Sequence, residues 1–140
     1  MGLFDIFKAI PAMFGAGQPK VIIDLDAAEV SPGGTVSGRV RMTGKGSKPI
    51  SVSGVEVSIV DKDYEAVIEE SFSLDTVALT AGQEVVVPFT IDVPDELEPS
   101  RAIDYDADDA DEQEEVSYQV WAKPDLEGAS KPADIDLRVV

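Results

Sequence analysis

Residues 21 to 42 read V-I-I-D-L-D-A-A-E-V-S-P-G-G-T-V-S-G-R-V-R-M, and no other stretch constrains the fold as strongly. Val21, Ile23 and Leu25 alternate with Ile22, Asp24 and Asp26, and Val36, Gly38, Val40 and Met42 alternate with Ser37, Arg39 and Arg41. Successive side chains of a strand point to opposite faces, so each limb reads as a strand with one apolar face. Ser31-Pro32-Gly33-Gly34 lies between the limbs. Proline presets φ at the second position of a type II turn, and Gly33 supplies the φ > 0 that the third position requires. Two strands with one apolar face each need a second layer to cover them.

The rest of the chain is patterned to supply that layer. Ile50 and Val52 occupy even positions, whereas Val55, Val57 and Ile59 occupy odd ones. A slip of one residue would turn half of this apolar set to solvent, so the sequence predicts a β-bulge at Ser53-Gly54 or a strand that crosses between sheets. Asp61-Lys62-Asp63 starts a turn, and residues 67–79 form the next strand around Ile68, Phe72 and Leu74. Thr80-Ala81-Gly82-Gln83 is a second turn, leading into the inward set Val85, Val87, Phe89, Ile91 and Val93. Pro88 falls on the opposite face and argues for an edge strand or a bulge, because proline cannot donate to a ladder. The stretch L-T-A-G-Q-E-V-V-V echoes V-S-P-G-G-T-V-S-G, as successive hairpins do. Val116, Tyr118, Val120 and Ala122 resume the alternation with Ser117, Gln119 and Trp121 opposite. Lys123-Pro124 through Lys131-Pro132 is read as a connection, and Ala133, Ile135, Leu137 and Val139 as a last strand. About seven strands, separated by turns and without βαβ alternation, predict an all-β antiparallel sandwich of immunoglobulin-like type.

Composition narrows the chemistry. The 140 residues suit one core and contain neither His nor Cys. That removes imidazole as general base or metal ligand, Ser-His and Cys-His pairs, disulfides and cysteine-based zinc sites. With 11 Lys plus Arg against 28 Asp plus Glu, the formal charge of −17 repels nucleic-acid phosphate and disfavours an anionic membrane surface. Neither nucleic acid nor a membrane is therefore expected as a partner, and no apolar run is long enough to span a bilayer.

The N-terminus carries a separate signal. Leu3, Ile6, Phe7, Ile10 and Phe14 fall on one stripe of a short amphipathic helix that Phe4 and Met13 broaden, with a kink or break at Pro11. Gly15 to Pro19 then acts as a hinge, so residues 1–19 are expected as helix and hinge and residues 20–140 as one sandwich domain. The apolar face either packs on the sandwich or docks a partner, for which Leu3, Phe4, Phe7, Ile10 and Phe14 are the candidates. Lys8 is the only basic residue before Pro11 and Asp5 interrupts the apolar stretch, which does not match a secretory signal and leads to a cytoplasmic expectation.

Between Asp95 and Glu115 lie 11 of the 28 acids, opposed only by Arg101. Asp104, Asp106, Asp108 and Glu115 fall at positions 1, 3, 5 and 12 of a calcium loop. Position 6, however, has Asp109 where the sharp turn needs Gly, and the flanks read as strands. A Ca²⁺ site without EF-hand helices is weighed against a solvated acidic loop, and against an acidity that reflects a salty cytoplasm. Consecutive exposed acids provide neither the burial nor the fixed separation of a catalytic carboxylate pair, so no enzyme and no resident cofactor are expected.

V-S-P-G-G-T-V-S-G-R-V at 30–40, I-S-V-S-G-V-E-V-S-I-V at 50–60, A-G-Q-E-V-V-V-P-F-T-I-D-V-P at 81–94, V-S-Y-Q-V-W-A at 116–122 and D-I-D-L-R-V at 134–139 together resemble the arrestin-like sandwich. They are most similar to the N-terminal domain of the sporulation-control Spo0M family. The resemblance implies a non-catalytic adaptor or regulatory module that binds a protein partner. Exposed sheet edges or the N-terminal helix could also pair two copies into a homo-oligomer. The alternative is a calcium-responsive binding domain built on residues 104–115.

Overall fold

The computed structural model describes residues 19–46, 48–126 and 131–140. The expected N-terminal helix, with Leu3, Phe4, Phe7, Ile10 and Phe14, lies outside the described residues. Alternating sequence becomes eight strands: β1 (Lys20–Leu25), β2 (Glu29–Val30), β3 (Thr35–Thr43), β4 (Ile50–Asp61), β5 (Ala66–Leu79), β6 (Glu84–Asp92), β7 (Tyr118–Leu126) and β8 (Ala133–Val139). They form a three-stranded sheet in the order β1-β3-β6 and a five-stranded sheet in the order β2-β8-β7-β4-β5.

The two opening limbs do pair, from Lys20 opposite Thr43 to Leu25 opposite Gly38. They are not joined as a simple hairpin, however. Between them Glu29 and Val30 leave for the other sheet and pair in parallel with Arg138 and Val139. This short eighth strand is missed by periodicity because two residues are too few to display a period.

Both glycine turns form as expected: the Gly34 amide donates to Ser31 O at 2.8 Å and the Gln83 amide to Thr80 O at 3.0 Å. Gly33 and Gly82 sit at φ 79° and 83° in the third position of each turn, the region that favours glycine. Neither turn closes a hairpin between sheet neighbours. Each carries the chain from the five-stranded sheet into the three-stranded one, from β2 to β3 and from β5 to β6. The similarity of the two stretches thus marks crossovers between layers.

The core is the space between the layers, where Met42, Ile59, Ile91, Val40, Val52, Val55, Val57, Val120 and Val139 are fully buried. Phe72 of β5 and Phe89 of β6 meet across the layers with centroids 6.2 Å apart. The parity switch in β4 is accommodated by the expected bulge, a register shift between Val52 and Gly54 against both β5 and β7. Pro88 lies in β6, an edge of the three-stranded sheet, as its missing donor requires. Pro124 departs from expectation, because it belongs to β7 instead of a connection. Among the described residues β8 pairs with β7 only up to Ala122, so Pro124 lies beyond that ladder and costs it no bond.

Candidate functional site

Residues 98–101 are fastened to the five-stranded sheet, and the acidic loop hangs from them. The Tyr118 hydroxyl donates to Glu98 O at 2.8 Å, the Ser100 amide to Val139 O at 2.7 Å, and Ser100 Oγ accepts from the Val139 amide at 2.9 Å. Arg101 and Val116 then exchange backbone hydrogen bonds of 2.9 Å in each direction, and Arg101 Nε donates to Glu114 O at 3.0 Å. The only basic residue of the segment thereby closes the neck of the loop.

Within the loop, Gln113 acts as the organiser: its Oε1 accepts from the Asp104 amide at 2.6 Å and its Nε2 donates to Asp109 Oδ1 at 2.9 Å. Asp104 Oδ1 also accepts from the Asp106 amide at 3.1 Å, and a 3-10 turn spans Ala110–Glu112. Of the four candidate calcium ligands, Asp104, Asp106 and Asp108 are exposed on this loop, while Glu115 stands beyond the 3-10 turn in the wall of a separate cleft. Among the described residues, no group of three acidic side chains is arranged to hold a metal ion.

That cleft has a volume of about 600 Å³ and lies at one end of the five-stranded sheet. Its walls come from the β4–β5 turn (Asp61, Lys62, Tyr64), the start of β7 (Tyr118, Gln119) and the end of β8 (Asp136, Arg138), together with Glu29 and Glu115. Burial holds the Tyr118 phenol above its ordinary pKa, reinforced by the negative charges of Glu98 and Asp61 and opposed by Arg101.

Tyr64 is the structural outlier of this region. The Asp61 carboxylate accepts from the amides of Asp63 and Glu65 at 2.9 and 3.1 Å, and the Tyr64 amide donates to Asp61 O at 3.0 Å. This tight turn leaves Tyr64 at φ 62°, in the left-handed region, where glycine or asparagine is the usual occupant. The residue is 68% exposed, and its ring lies 5.8 Å from that of Trp121, tilted by 58°. The Trp121 indole N–H donates to Gln119 Oε1 at 2.9 Å, which fixes the indole plane. Val60, opposite Gln119 on the outer face, is only 5% exposed although it stands apart from the inter-layer cluster. Sequence reading passed over Tyr64; the available signal was D-K-D-Y-E, a tight turn without glycine, together with the chain's single Trp at an outward position.

The second surface of note is the outer edge of β5, which among the described residues pairs only with β4. Its most regular stretch runs from Ile68 opposite Ile59 to Ser73 opposite Gly54. Glu70 stands opposite buried Val57, so it shares the inward parity of Ile68 and Phe72 while its side chain reaches solvent at the edge.

Two sheets packed face to face, antiparallel except for the short β2–β8 pair and with crossovers between layers, define an arrestin-like β-sandwich. The structure is similar to the crystal structure of Spo0M, sporulation control protein, from Bacillus subtilis, with a TM-score of 0.60 and 20% sequence identity. The match covers 88% of this chain and 49% of that one, so the chain spans about half the length of that structure. The family model described as SpoOM protein matches residues 7–140, and the chain belongs to that family. No curated protein matches the chain.

Proposed function

We propose that this chain is a non-catalytic regulatory module of the sporulation-control type, working in the cytoplasm and binding a protein partner as an added strand on β5. The observation that carries this reading is the open edge of β5, 14 residues long and free of Pro, Lys and Arg. An edge of this kind offers a row of backbone donors and acceptors to an extended segment. Its charges select the segment. In a second copy paired antiparallel along this edge, acids would meet acids, for example Glu70 opposite Asp75, so like charges oppose self-pairing, and a strand bearing Lys or Arg opposite Glu70 fits instead. Family membership supports the regulatory role.

The reading is tested by amide hydrogen exchange with a six-residue alternating Lys-Val peptide, compared with an analogue N-methylated at every second residue. New protection across Ile68–Ser73, abolished by N-methylation and by Glu70→Lys, supports strand addition. Protection elsewhere, or equal binding of the methylated analogue, overturns it.

A further inference from the structure

We propose that the cleft beneath Tyr64 is a receptor for a single arginine side chain of a partner protein, with the guanidinium laid on the Tyr64 ring and its N–H groups directed at Asp61, Glu115 and Asp136. This goes beyond the strand-addition reading and does not depend on it, because the cleft and the β5 edge are different surfaces.

The first argument is the shape and chemistry of the walls. Tyr64, largely exposed, lines the cleft, and so do three carboxylates that form no ion pair among the described residues, Asp61, Glu115 and Asp136. Asp61 Oδ1 accepts from the turn amides and Asp136 Oδ1 from Gln119 Nε2 at 3.4 Å, which leaves the second oxygen of each for a guanidinium. An aromatic ring attracts a cation through its quadrupole, and a planar guanidinium can stack on the ring while its fork meets carboxylate oxygens. A compact ammonium can do only part of this. The cleft already contains one example of such pairing: Arg138 lies 3.7 Å from Glu29 in its wall.

The second argument is charge complementarity. The wall residues carry more carboxylates than the two cations Lys62 and Arg138, and the whole chain is at −17, so its field draws in a cationic segment and repels an anionic one. The third is the conformation of Tyr64. Glycine would relax the turn, yet the chain has a tyrosine at φ 62° that lines the cleft and packs against the Trp121 ring. Backbone strain of this kind is a recurrent feature of ligand-binding positions.

Trp121 is the only tryptophan, and it touches the cleft through Tyr64 and through Gln119, so its fluorescence reports on occupancy. The full chain is titrated with acetyl-Gly-Arg-Gly-amide and with the neutral isostere in which citrulline replaces arginine, at constant ionic strength. The expected result is a saturable change with the arginine peptide and at least tenfold weaker binding of the citrulline peptide. Tyr64→Gly should weaken arginine binding at least tenfold while the unfolding midpoint is maintained or raised, since it relieves the turn. Glu115→Gln combined with Asp136→Asn should weaken it several-fold, and neither variant should alter the exchange protection at β5. An equal response to citrulline, unchanged binding in Tyr64→Gly, or a saturable CaCl₂ response that competes with arginine would overturn the proposal.

Discussion

The Tyr118 hydroxyl donates to the carbonyl oxygen of Glu98 at 2.8 Å, joining the first residue of β7 to the segment from which the acidic loop departs. Tyr118 itself is 6% exposed and the bond is part-buried, so water competes for it only in part.

Tyr118→Phe should therefore destabilise the fold by about 1 kcal/mol, as expected for one part-buried hydrogen bond whose acceptor loses its donor. Stability should also fall at alkaline pH. Burial, with Glu98 and Asp61, raises the native phenol above its ordinary value of 10.0, so above that pH the unfolded chain loses its proton first. The contribution is fully present below pH 10 and declines as pH rises toward the native pKa. Urea midpoints measured from pH 8 to 11 check this: the decline should be smaller in Tyr118→Phe.

Gly33→Ala and Gly82→Ala should each lose about 1–2 kcal/mol, because φ values of 79° and 83° place a Cβ in the left-handed region. At Gly82 nothing lies near the added methyl, and at Gly33 it meets only the carboxylate of exposed Asp95, which can rotate away. The two losses should thus be similar, and Asn at either site should lose less than Ala. Chemical denaturation of the four variants measures the comparison.

Ile59→Ala removes a fully buried side chain from the centre of the inter-layer core and should cost about 2–5 kcal/mol. Val60→Ala, one residue along, should change the Trp121 emission as well, since Val60 lies on the outer face. Parallel thermal melts followed by circular dichroism and by tryptophan fluorescence separate the two effects.

Calcium has its own measurement. Millimolar CaCl₂ and MgCl₂ should raise the unfolding midpoint equally, because both screen the −17 charge while Asp104 and Asp109 already accept hydrogen bonds within the loop. A rise selective for Ca²⁺ and lost in Asp106→Ala with Asp108→Ala would instead make the loop a metal site.

Sequence alone determined which side of each strand faces inward. Val87, Phe89, Ile91 and Val93 are buried as their alternation requires, the register shifts at Ser53-Gly54 where the parity of the apolar residues changes, and Gly33 and Gly82 hold the positive φ of their turns. These are local properties, set by the two-residue period of a strand and the steric limits of a turn. Which strands share a sheet was decided only by the tertiary structure. The same glycine turn that resembles a hairpin link carries the chain between layers, and Glu29-Val30 forms a strand only because Arg138-Val139 is there to pair with it. The cleft likewise gathers Tyr64, Glu115, Gln119 and Asp136 from three parts of the chain. Pairing partners are chosen by competition among distant segments for backbone hydrogen bonds and apolar cover, and periodicity within one segment carries no record of that competition.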